Sequence, residues 1–590
     1  MSNRLYTTIP APKLPRNTFD RSRPNSLTMP FQKVVPTMLE EIVPGDKFRI
    51  GQETFARLQP MIAPVMNNMK ISNHAFFVPL RTINKHFAEF MFNNKNGDYS
   101  EVLPYVYTDT IMDVIETMMA EQNPDWAAIA NIIRLLDFIG LPFRTRSITG
   151  TAQQFVQAWD LDSWNQDVAT AHKRVNLLPF VAYTKIWNEY FRDENLVADP
   201  FEWYETQNGD PVDTLMGDCD DNGSFDKFFA LAFMQLRPRA WAHDRFTSSL
   251  PFAQRGPDVL LPISGTAEVK YKDGFLLGDV TPLNTTKIVS RVAGSPMLED
   301  KVDMTYGVVN ASTRKSLGGP TESSSAYTRN AAYDPNGSLY TDFSDAALTT
   351  TINTFRRAER LQRWYENSAR GGIRPNESTL AHFGVRTADA TLQRAEFLGG
   401  HKQPIVVSEV AQTSETTQNS PQGTLAGKGT SYKGGLLCNH FFTEHGYLFV
   451  FTSALCRANY WQGIPKVFSR MQRDEYYWPE FANLGEEPVY VKELYAPAIN
   501  EDDVFGYVPR FSDYKSAVGE VHGDMRTSLD FWTQNREFSN IPALNEEFIY
   551  GNPNLSPFAV QGQYSDPIVC TIQFAVKASR LMPFYGVPTI

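Results

Sequence analysis

The chain has 590 residues, of which 42% are hydrophobic and 13% aromatic, and its formal net charge at pH 7 is −11. The acidic balance excludes a protein that binds nucleic acid with its whole surface, so any such contact must be local or must use a separate basic partner. No stretch approaches the length of a membrane span, which excludes membrane insertion.

The first 33 residues predict an extended N-terminal arm, because five prolines in this stretch forbid a continuous helix. Asp20 is the only acidic residue of the arm. The basic residues of the arm are Arg4, Lys13, Arg16, Arg21, Arg23 and Lys33. Two interpretations stay open, namely a disordered terminus and an arm that docks on a neighbouring subunit or on phosphate.

Two strand-like runs follow the arm, at 46–58 and 70–81. Phe48, Ile50 and Leu58 share one parity in the first run, as a half-buried strand requires. Phe55 breaks that parity, which predicts a β-bulge in this strand.

Apolar residues at helical spacing then predict four helices. They lie at about 110–122, 124–140, 180–192 and 350–370, and the first three form a helical excursion at about 105–200. Asn123 is the expected N-cap of the second helix, with Pro124 at its first position, and Gly140 ends it. The outer positions of the fourth helix carry Arg356, Arg357, Arg360, Arg363 and Arg370. These arginines indicate a solvated face or, alternatively, an anion-binding face.

Residues 265–347 and 408–432 are rich in Ser, Thr, Asn and Gly and lack apolar periodicity, which predicts surface loops. Residues 434–455 again predict two strands, joined around Glu444, His445 and Gly446. The 38 prolines and 36 glycines of the chain break up helices and central strands. Sequence-distant strands with long connections therefore predict one mainly β domain, a sandwich with expanded loops.

No catalytic signature is found, since the chain lacks a phosphate-binding Gly-rich loop and a nucleophile elbow. Residues 218–226 match a calcium loop at five of its positions. The matching residues that could bind the ion are Asp218, Asp220, Asn222 and Asp226. Phe229 stands where the bidentate Glu should be, and Asp-Asn-Gly is also ordinary turn chemistry, so calcium and a plain turn both stay open. No other cofactor is expected.

Several specific strings carry a resemblance to a known family. They include RLQPMIAPVMNNMKISNHAFFVPLR (57–81), FVAYTKIWNEYFRDENL (180–196), FGVRTADATLQRAEFLGG (383–400), YYWPEFANLGEEPVYVKELY (476–495) and LDFWTQNREFSNIPALNEEF (529–548). Together they resemble the major capsid protein family of the Microviridae, the small tailless single-stranded-DNA phages, and most closely the gokushovirus-like branch.

The resemblance implies an eight-stranded antiparallel jelly roll with long, partly helical loop insertions, a single domain spanning 34–590. It implies a structural protein and not an enzyme, which self-assembles into a T=1 icosahedral shell in the cytoplasm of the host bacterium. In this branch an insertion builds protrusions at the threefold axes, and 265–347 is the first candidate for it and 199–226 the second.

The resemblance also implies the partners of the chain. They are further copies of itself, a packaged circular single-stranded DNA, a small basic DNA-binding virion protein and a receptor on the host surface. A basic partner agrees with the charge, because an acidic shell cannot neutralise a genome alone.

Two questions stay open at this point. The aromatic segments 475–481 and Phe531-Trp532 are either anchors of subunit contacts or part of the subunit core. A host-attachment protein and a carbohydrate-binding or hydrolytic β-sandwich are the alternative functions, although no motif indicates the paired carboxylates that a glycosidase needs.

Overall fold

A computed structural model describes residues 15–92, 101–141, 153, 172–219, 225–259, 352–411, 425–498, 500, 502–559 and 566–585, and four short strands between 269 and 341. The chain divides into two compact units. The main unit comprises Met1–Gly256 and Tyr365–Ile590, and the inserted unit comprises Pro257–Trp364.

The strands that the structure describes are, in chain order, β1 (Asn17–Asp20), β2 (Arg23–Met29), β3 (Val35–Ile42), β4 (Lys47–Leu58), β5 (Met69–Pro79), β6 (Tyr105–Tyr107), β7 (Arg174–Asn176), β8 (Val269–Tyr271), β9 (Ser290–Val292), β10 (Arg329–Ala331), β11 (Leu339–Thr341), β12 (Glu396–Pro404), β13 (Val406–Ala411), β14 (Leu425–Phe441), β15 (Gly446–Cys456), β16 (Asn459–Tyr460), β17 (Glu486–Tyr490), β18 (Val504–Pro509), β19 (Gly519–Glu520) and β20 (Ile568–Arg580). The helices are α1 (Phe87–Phe92), α2 (Thr108–Met119), α3 (Trp126–Ile139), α4 (Leu178–Tyr190), α5 (Pro200–Asn208), α6 (Lys227–Phe233), α7 (Ile352–Gly371), α8 (Pro375–Phe383), α9 (Lys466–Ser469), α10 (Ser512–Lys515) and α11 (Glu546–Ile549).

Two antiparallel sheets form the centre of the main unit. The first sheet has the order β1-β20-β4-β14-β13, with β2 also paired to β20, and the second has the order β12-β5-β15-β3. The two sheets share one hydrophobic core. The ring of Phe442 lies 6.1 Å from that of Phe48 in the first sheet and 4.7 Å from that of Phe77 in the second, so the inner faces are in direct contact.

Strands β3, β5 and β15 of the second sheet are largely buried on both faces, whereas the edge strand β12 is partly exposed. Every residue of β15 except Leu455 is buried, and its sequence GYLFVFTSALC is a continuous apolar run rather than an alternating one. Helices α3 and α4 cover the outer face. The Tyr183 hydroxyl of α4 donates a hydrogen bond of 2.9 Å to the Val34 carbonyl, and its ring packs 5.6 Å from that of Phe451.

The first sheet alternates between buried and exposed residues. Along β4 the side chains of Phe48, Ile50 and Leu58 are buried while their neighbours face outward, and β20 repeats the pattern. The predicted bulge in β4 is wrong, because Phe55 keeps the alternation as an exposed aromatic residue. The irregularity lies in the partner strand β14, between Leu436 and Cys438.

Most other predicted elements are confirmed, but the predicted surface loop 408–432 is wrong at both ends, which pair with each other as strands β13 and β14. The runs 46–58 and 70–81 are β4 and β5, and the four helices are α2, α3, α4 and α7. Helix α3 begins later than predicted, because Asp125 is the N-cap and accepts the Ala128 N–H at 3.0 Å. Gly140 ends it in the left-handed conformation, with φ +106°. None of the described helices is long and apolar enough to span a bilayer.

Long connections separate the strands of the two sheets. The connection between β5 and β12 carries helices α1 to α8 and contains the inserted unit. In the inserted unit β8 pairs with β11 and β9 pairs with β10, both antiparallel. The other residues of the predicted surface insertion 265–347 lie outside the described residues. A second connection, 457–567, joins β15 to β20 and consists mostly of short helical turns and loops.

Candidate subunit interface

The connection between β15 and β20 presents an exposed apolar surface, which we call the apolar platform. Its members are Ile464, Val467, Phe468, Met471, Tyr476, Tyr477, Trp478, Phe481 and Leu484. The side chains of Met471 and Phe468 are 82% and 72% exposed. So many exposed large apolar side chains within one short segment, 464–484, are unusual for a monomer and indicate a contact site.

Charged side chains hold the base of the apolar platform. Arg470 is 5% exposed at its side chain and forms an ion pair with Asp513 of α10. Its Nε donates a hydrogen bond of 3.1 Å to the Glu475 carbonyl, and its guanidinium lies 4.5 Å from the centroid of the Tyr514 ring. In most proteins charged side chains face the solvent and aromatic rings are buried. Here the Arg470 guanidinium is buried and the rings of Tyr476 and Trp478 are exposed.

Hydrogen bonds fix the backbone between the exposed rings. The Glu475 carboxylate accepts the N–H groups of Gln472, at 2.9 Å, and Met471, and these bonds hold the pKa of Glu475 below its usual value. The Trp478 indole N–H donates to the Arg473 carbonyl at 3.0 Å. The loop is therefore closed on itself by its own polar groups, which leaves the rings free to face outward.

Ring packing connects the platform to the body of the main unit. Tyr477 packs edge-on against Phe511 with centroids 5.2 Å apart. Phe511 is buried and has a left-handed backbone, with φ +59°, which is uncommon for a residue with a side chain. The Lys466 ammonium pairs with the Glu487 carboxylate at 2.8 Å. The apolar platform is thus anchored near its start, at Lys466 and Arg470, and in its middle, at Tyr477.

A cleft of about 230 Å³ lies beside the platform. Arg245, Tyr460, Lys466 and Val467 contribute to its wall. Arg245 is buried and pairs there with Glu493. A Cβ atom at Gly463 would meet the Glu493 carbonyl oxygen at 1.9 Å, so the close approach of these two backbone segments requires glycine at 463.

The aromatic segment 475–481 does not belong to the subunit core. Tyr476, Tyr477 and Trp478 are exposed, so the interpretation that they fill the core is wrong. Phe531 and Trp532 are half-buried. The sequence could identify these rings, but their direction depends on contacts with residues more than thirty positions away, such as Phe511.

The basic residues of the predicted arm that the structure describes, Arg16, Arg21, Arg23 and Lys33, do not form one cluster. Arg4 and Lys13 lie outside the described residues. Arg21 and Arg23 both pair with the buried Glu40, and the Arg16 side chain donates to the Ser579 carbonyl at 3.3 Å.

Lys33 and the other described residues of the arm, 15–32, are built into the fold. Lys33 is half-buried near Arg134 and Arg237, and burial lowers the pKa of its ammonium to about 8. Residues 17–29 run along the first sheet as β1 and β2, each paired with β20. The described part of the arm therefore contributes strands to the sheet.

The predicted calcium loop is only partly described. Asp220 and Asn222 lie outside the described residues, and Asp218 forms an isolated bridge with Tyr105. Asp226 is the N-cap of α6, where it accepts the N–H groups of Phe228 and Phe229 at 2.9 and 3.0 Å. Phe229 itself is fully buried, with its ring 5.0 Å from that of Phe233. Calcium binding stays a prediction, and among the described residues no three His, Cys, Asp or Glu side chains are grouped to hold a metal.

Comparisons with known proteins match this chain to one family over nearly its whole length. The model of the capsid protein (F protein) family matches residues 7–145 and 147–590. Capsid protein VP1 of Chlamydia phage 1 is 31% identical, covering 100% of this chain and 98% of the relative. Capsid protein VP1 of Bdellovibrio phage phiMH2K is 31% identical, covering 99% and 97%. Capsid protein VP1 of Spiroplasma virus 4 is 28% identical, covering 94% and 92%.

The buried ion pair at the base of the platform gives a stability prediction. We expect Arg470→Ala to lower the free energy of unfolding by about 3 kcal/mol, because the Asp513 carboxylate loses its partner in a largely buried position. Chemical denaturation of the purified subunit measures this change. Arg473→Ala is the matched control, since its side chain is exposed and a surface substitution changes stability by about 0.5 kcal/mol or less. Equal losses in the two variants would contradict a structural role for the pair.

Proposed function

Because the chain belongs to the capsid protein (F protein) family and is a major capsid protein of a small single-stranded-DNA phage, we propose that its copies close into a T=1 icosahedral shell around a circular genome. The chain is a structural protein of the virion and not an enzyme. The apolar platform is the observation that carries the proposal, because it is a contact surface without an occupant within the described chain.

We propose that the two sheets form an eight-stranded jelly roll. Four strands of the first sheet, β2-β20-β4-β14, would face four of the second, β3-β15-β5-β12. Along the chain these strands alternate between the sheets, except at β5 and β12, which are neighbours in the second sheet. This path is that of a double Greek key, and it supports the assignment. Strands β1 and β13 then extend the first sheet at its edges.

The chemistry of the apolar platform suits a subunit contact. Interface cores are enriched in Trp, Tyr, Phe and Met and depleted of charged residues. The exposed apolar members of the platform have this composition. Arg470 and Glu475 are turned toward its base, whereas Arg473, Asp474 and Glu480 of the same segment are exposed. Closed shells need heterologous contacts, in which a surface of one copy meets a different surface of the next. The cleft beside the platform supplies a concave surface for such a contact.

Packaging of the genome requires cations that neutralise its phosphates, and this chain has more acidic than basic residues. The net charge of −11 supports the proposal that a small basic DNA-binding virion protein accompanies the DNA. Arg4 and Lys13 of the arm remain candidates for a contact with phosphate or with a neighbouring subunit. Arg21 and Arg23 are weaker candidates, because Glu40 already neutralises part of their charge. The resemblance to phage capsids further supports assembly in the cytoplasm of the host bacterium.

We propose that the inserted unit forms the protrusion and contacts the host receptor. Its two strand pairs are nested in sequence, since the β9–β10 pair lies between β8 and β11. In nested antiparallel pairs the chain runs away from the first strand and returns beside it, which is the path that a protruding stalk requires. The second candidate, 199–226, is less suited, because α5 packs Tyr204 against Phe229 and Phe233 of the core. A host-attachment role thus coincides with the shell role.

A pair of matched double variants tests the role of the platform. We expect Phe468→Ser with Leu484→Ser to abolish particles, because loss of large apolar side chains from an interface costs about 2 kcal/mol or more at each hot spot. Phe441→Ser with Leu436→Ser is the control, since these exposed residues lie on the outer face of the first sheet. Sedimentation velocity separates shells from free subunits, and circular dichroism verifies folding.

The control variant should assemble as the unaltered protein does. Particles from the platform variant in normal yield would contradict the proposed contact.

Deletion of 265–347 tests the inserted unit. We expect particles that still form but no longer adsorb to host cells, because the removed residues would reach outward and make no shell contact. Electron microscopy and an adsorption assay with the host bacterium measure the two properties. Free subunits in place of particles would show that the insertion is needed for assembly, and normal adsorption would contradict its role in receptor binding.

A further inference from the structure

The outer face of the first sheet carries a local surplus of positive charge. Its basic residues are Lys47, Arg49 and Arg57 on β4, Lys428 on β14 and Lys577 on β20, and all five are exposed. Glu53 and Asp20 are the acidic residues on the same face of the described strands. The remaining outward positions combine Ser, Thr, Gln and Gly with exposed apolar residues, among them Leu436 and Val569. The positive charge of this face is therefore opposite in sign to the net charge of the chain, which is −11.

Like charges lie side by side on this face. Arg49 and Lys577 are directly opposite each other in the β4–β20 ladder, and Lys47 is two residues farther along β4. Like charges in directly opposed positions destabilise an antiparallel pair. None of the three forms an ion pair within 4 Å with a side chain of the described residues. Asp20, directly opposite Lys577 in the β1–β20 ladder, offsets part of this charge, and the cluster keeps a net positive charge that an external anion would neutralise.

Exposed aromatic rings lie between the basic residues. Phe55 and Tyr432 are directly opposite each other in the β4–β14 ladder and are 39% and 67% exposed. The Arg57 guanidinium lies 5.0 Å from the centroid of the Phe55 ring. At the other end of the face Phe441 is exposed opposite Lys47. Rings beside guanidinium and ammonium groups are the elements of a stacking surface for unpaired bases.

We propose that this face binds the packaged single-stranded DNA, an inference that rests on the proposed shell function. The Arg49–Lys577–Lys47 cluster and the Arg57–Lys428 pair contact phosphates, and Phe55 and Tyr432 stack on bases. About 33 Å separates Lys47 from Arg57 along β4, which is room for several nucleotides. Single strands fit better than a duplex, because only unpaired bases can stack on side chains.

The same features argue against a second copy of the chain as the occupant. A subunit contact needs an apolar centre, and the centre of this face holds Glu53, Gln573 and Gly434 in one cross-strand row. The platform on the connection 457–567 already has the composition of a protein contact.

Fluorescence anisotropy with a labelled 20-nucleotide oligothymidylate tests the proposal on the full-length protein, over a series of salt concentrations. We expect Arg49→Gln with Lys577→Gln to weaken binding about tenfold and to make the slope of log affinity against log salt shallower by about 1.4, the value for two lost phosphate contacts. We expect Phe55→Ala with Tyr432→Ala to weaken binding about tenfold with the slope unchanged.

Arg386→Gln with Lys70→Gln is the matched control, because it removes the same charges from exposed positions outside this face. It should bind as the unaltered protein does. Equal weakening in the control, or no binding by the unaltered protein, would overturn the proposal.

Particle formation is measured in parallel, so that the two proposals fail separately. Both face variants should still form shells. Loss of shells in these variants alone would overturn the DNA assignment and make the face a subunit contact. Absence of shells from the unaltered protein as well would contradict the shell function itself.

Discussion

Three strands of the second sheet, β3, β5 and β15, are largely buried on both faces, and this constraint determines much of the rest of the subunit. A strand such as β15, with apolar residues at nearly every position, needs a cover on each side. The first sheet covers one side, and the helices carried by the β5–β12 connection cover the other. The long helical excursion is therefore part of the core. The first sheet needs no second cover, because its strands alternate, and its outer face remains open to an anionic ligand.

The second long connection, 457–567, positions the exposed rings of the apolar platform. It has few regular elements, yet it must hold large rings in a fixed direction away from the core. The Arg470–Asp513 ion pair, the Glu475 carboxylate and the packing of Tyr477 on Phe511 do this together. A buried pair contributes little net stability, but it defines geometry, because an alternative loop conformation would leave both charges buried without a partner. A shell subunit needs such a defined surface, since each contact must recur with the same angle for the shell to close.

The sequence predicts the elements whose signal is local. Apolar spacing predicts strand β4, and apolar spacing with a start and a stop signal predicts helix α3, although the helix begins later because Asp125 and not Asn123 caps it. Strands β1 and β2 have no such signal, since RPNSLTM becomes a strand only by pairing with β20, more than 500 residues away.

The same limit applies to the candidate sites. Aspartate serves equally as a calcium ligand and as an N-cap, so residue type and spacing could not separate the two roles at Asp226. The aromatic residues at 475–481 were identified, but inward and outward directions depend on Asp513 and Phe511. The basic face of the first sheet was missed because its cations come from three strands distant in sequence. One signal is present in the sequence of β4. Lys47, Arg49 and Arg57 have the same parity as Phe55, the aromatic residue that does not follow the apolar parity of this strand.

An image reconstruction of assembled particles, at a resolution that shows side chains, tests the central claim most directly. The account predicts that Phe468, Met471 and Trp478 are buried against a neighbouring copy at a symmetry-related contact. It also predicts that the outer face of the first sheet is directed toward the particle interior. Particles in which these three side chains are exposed to solvent in every copy would contradict it.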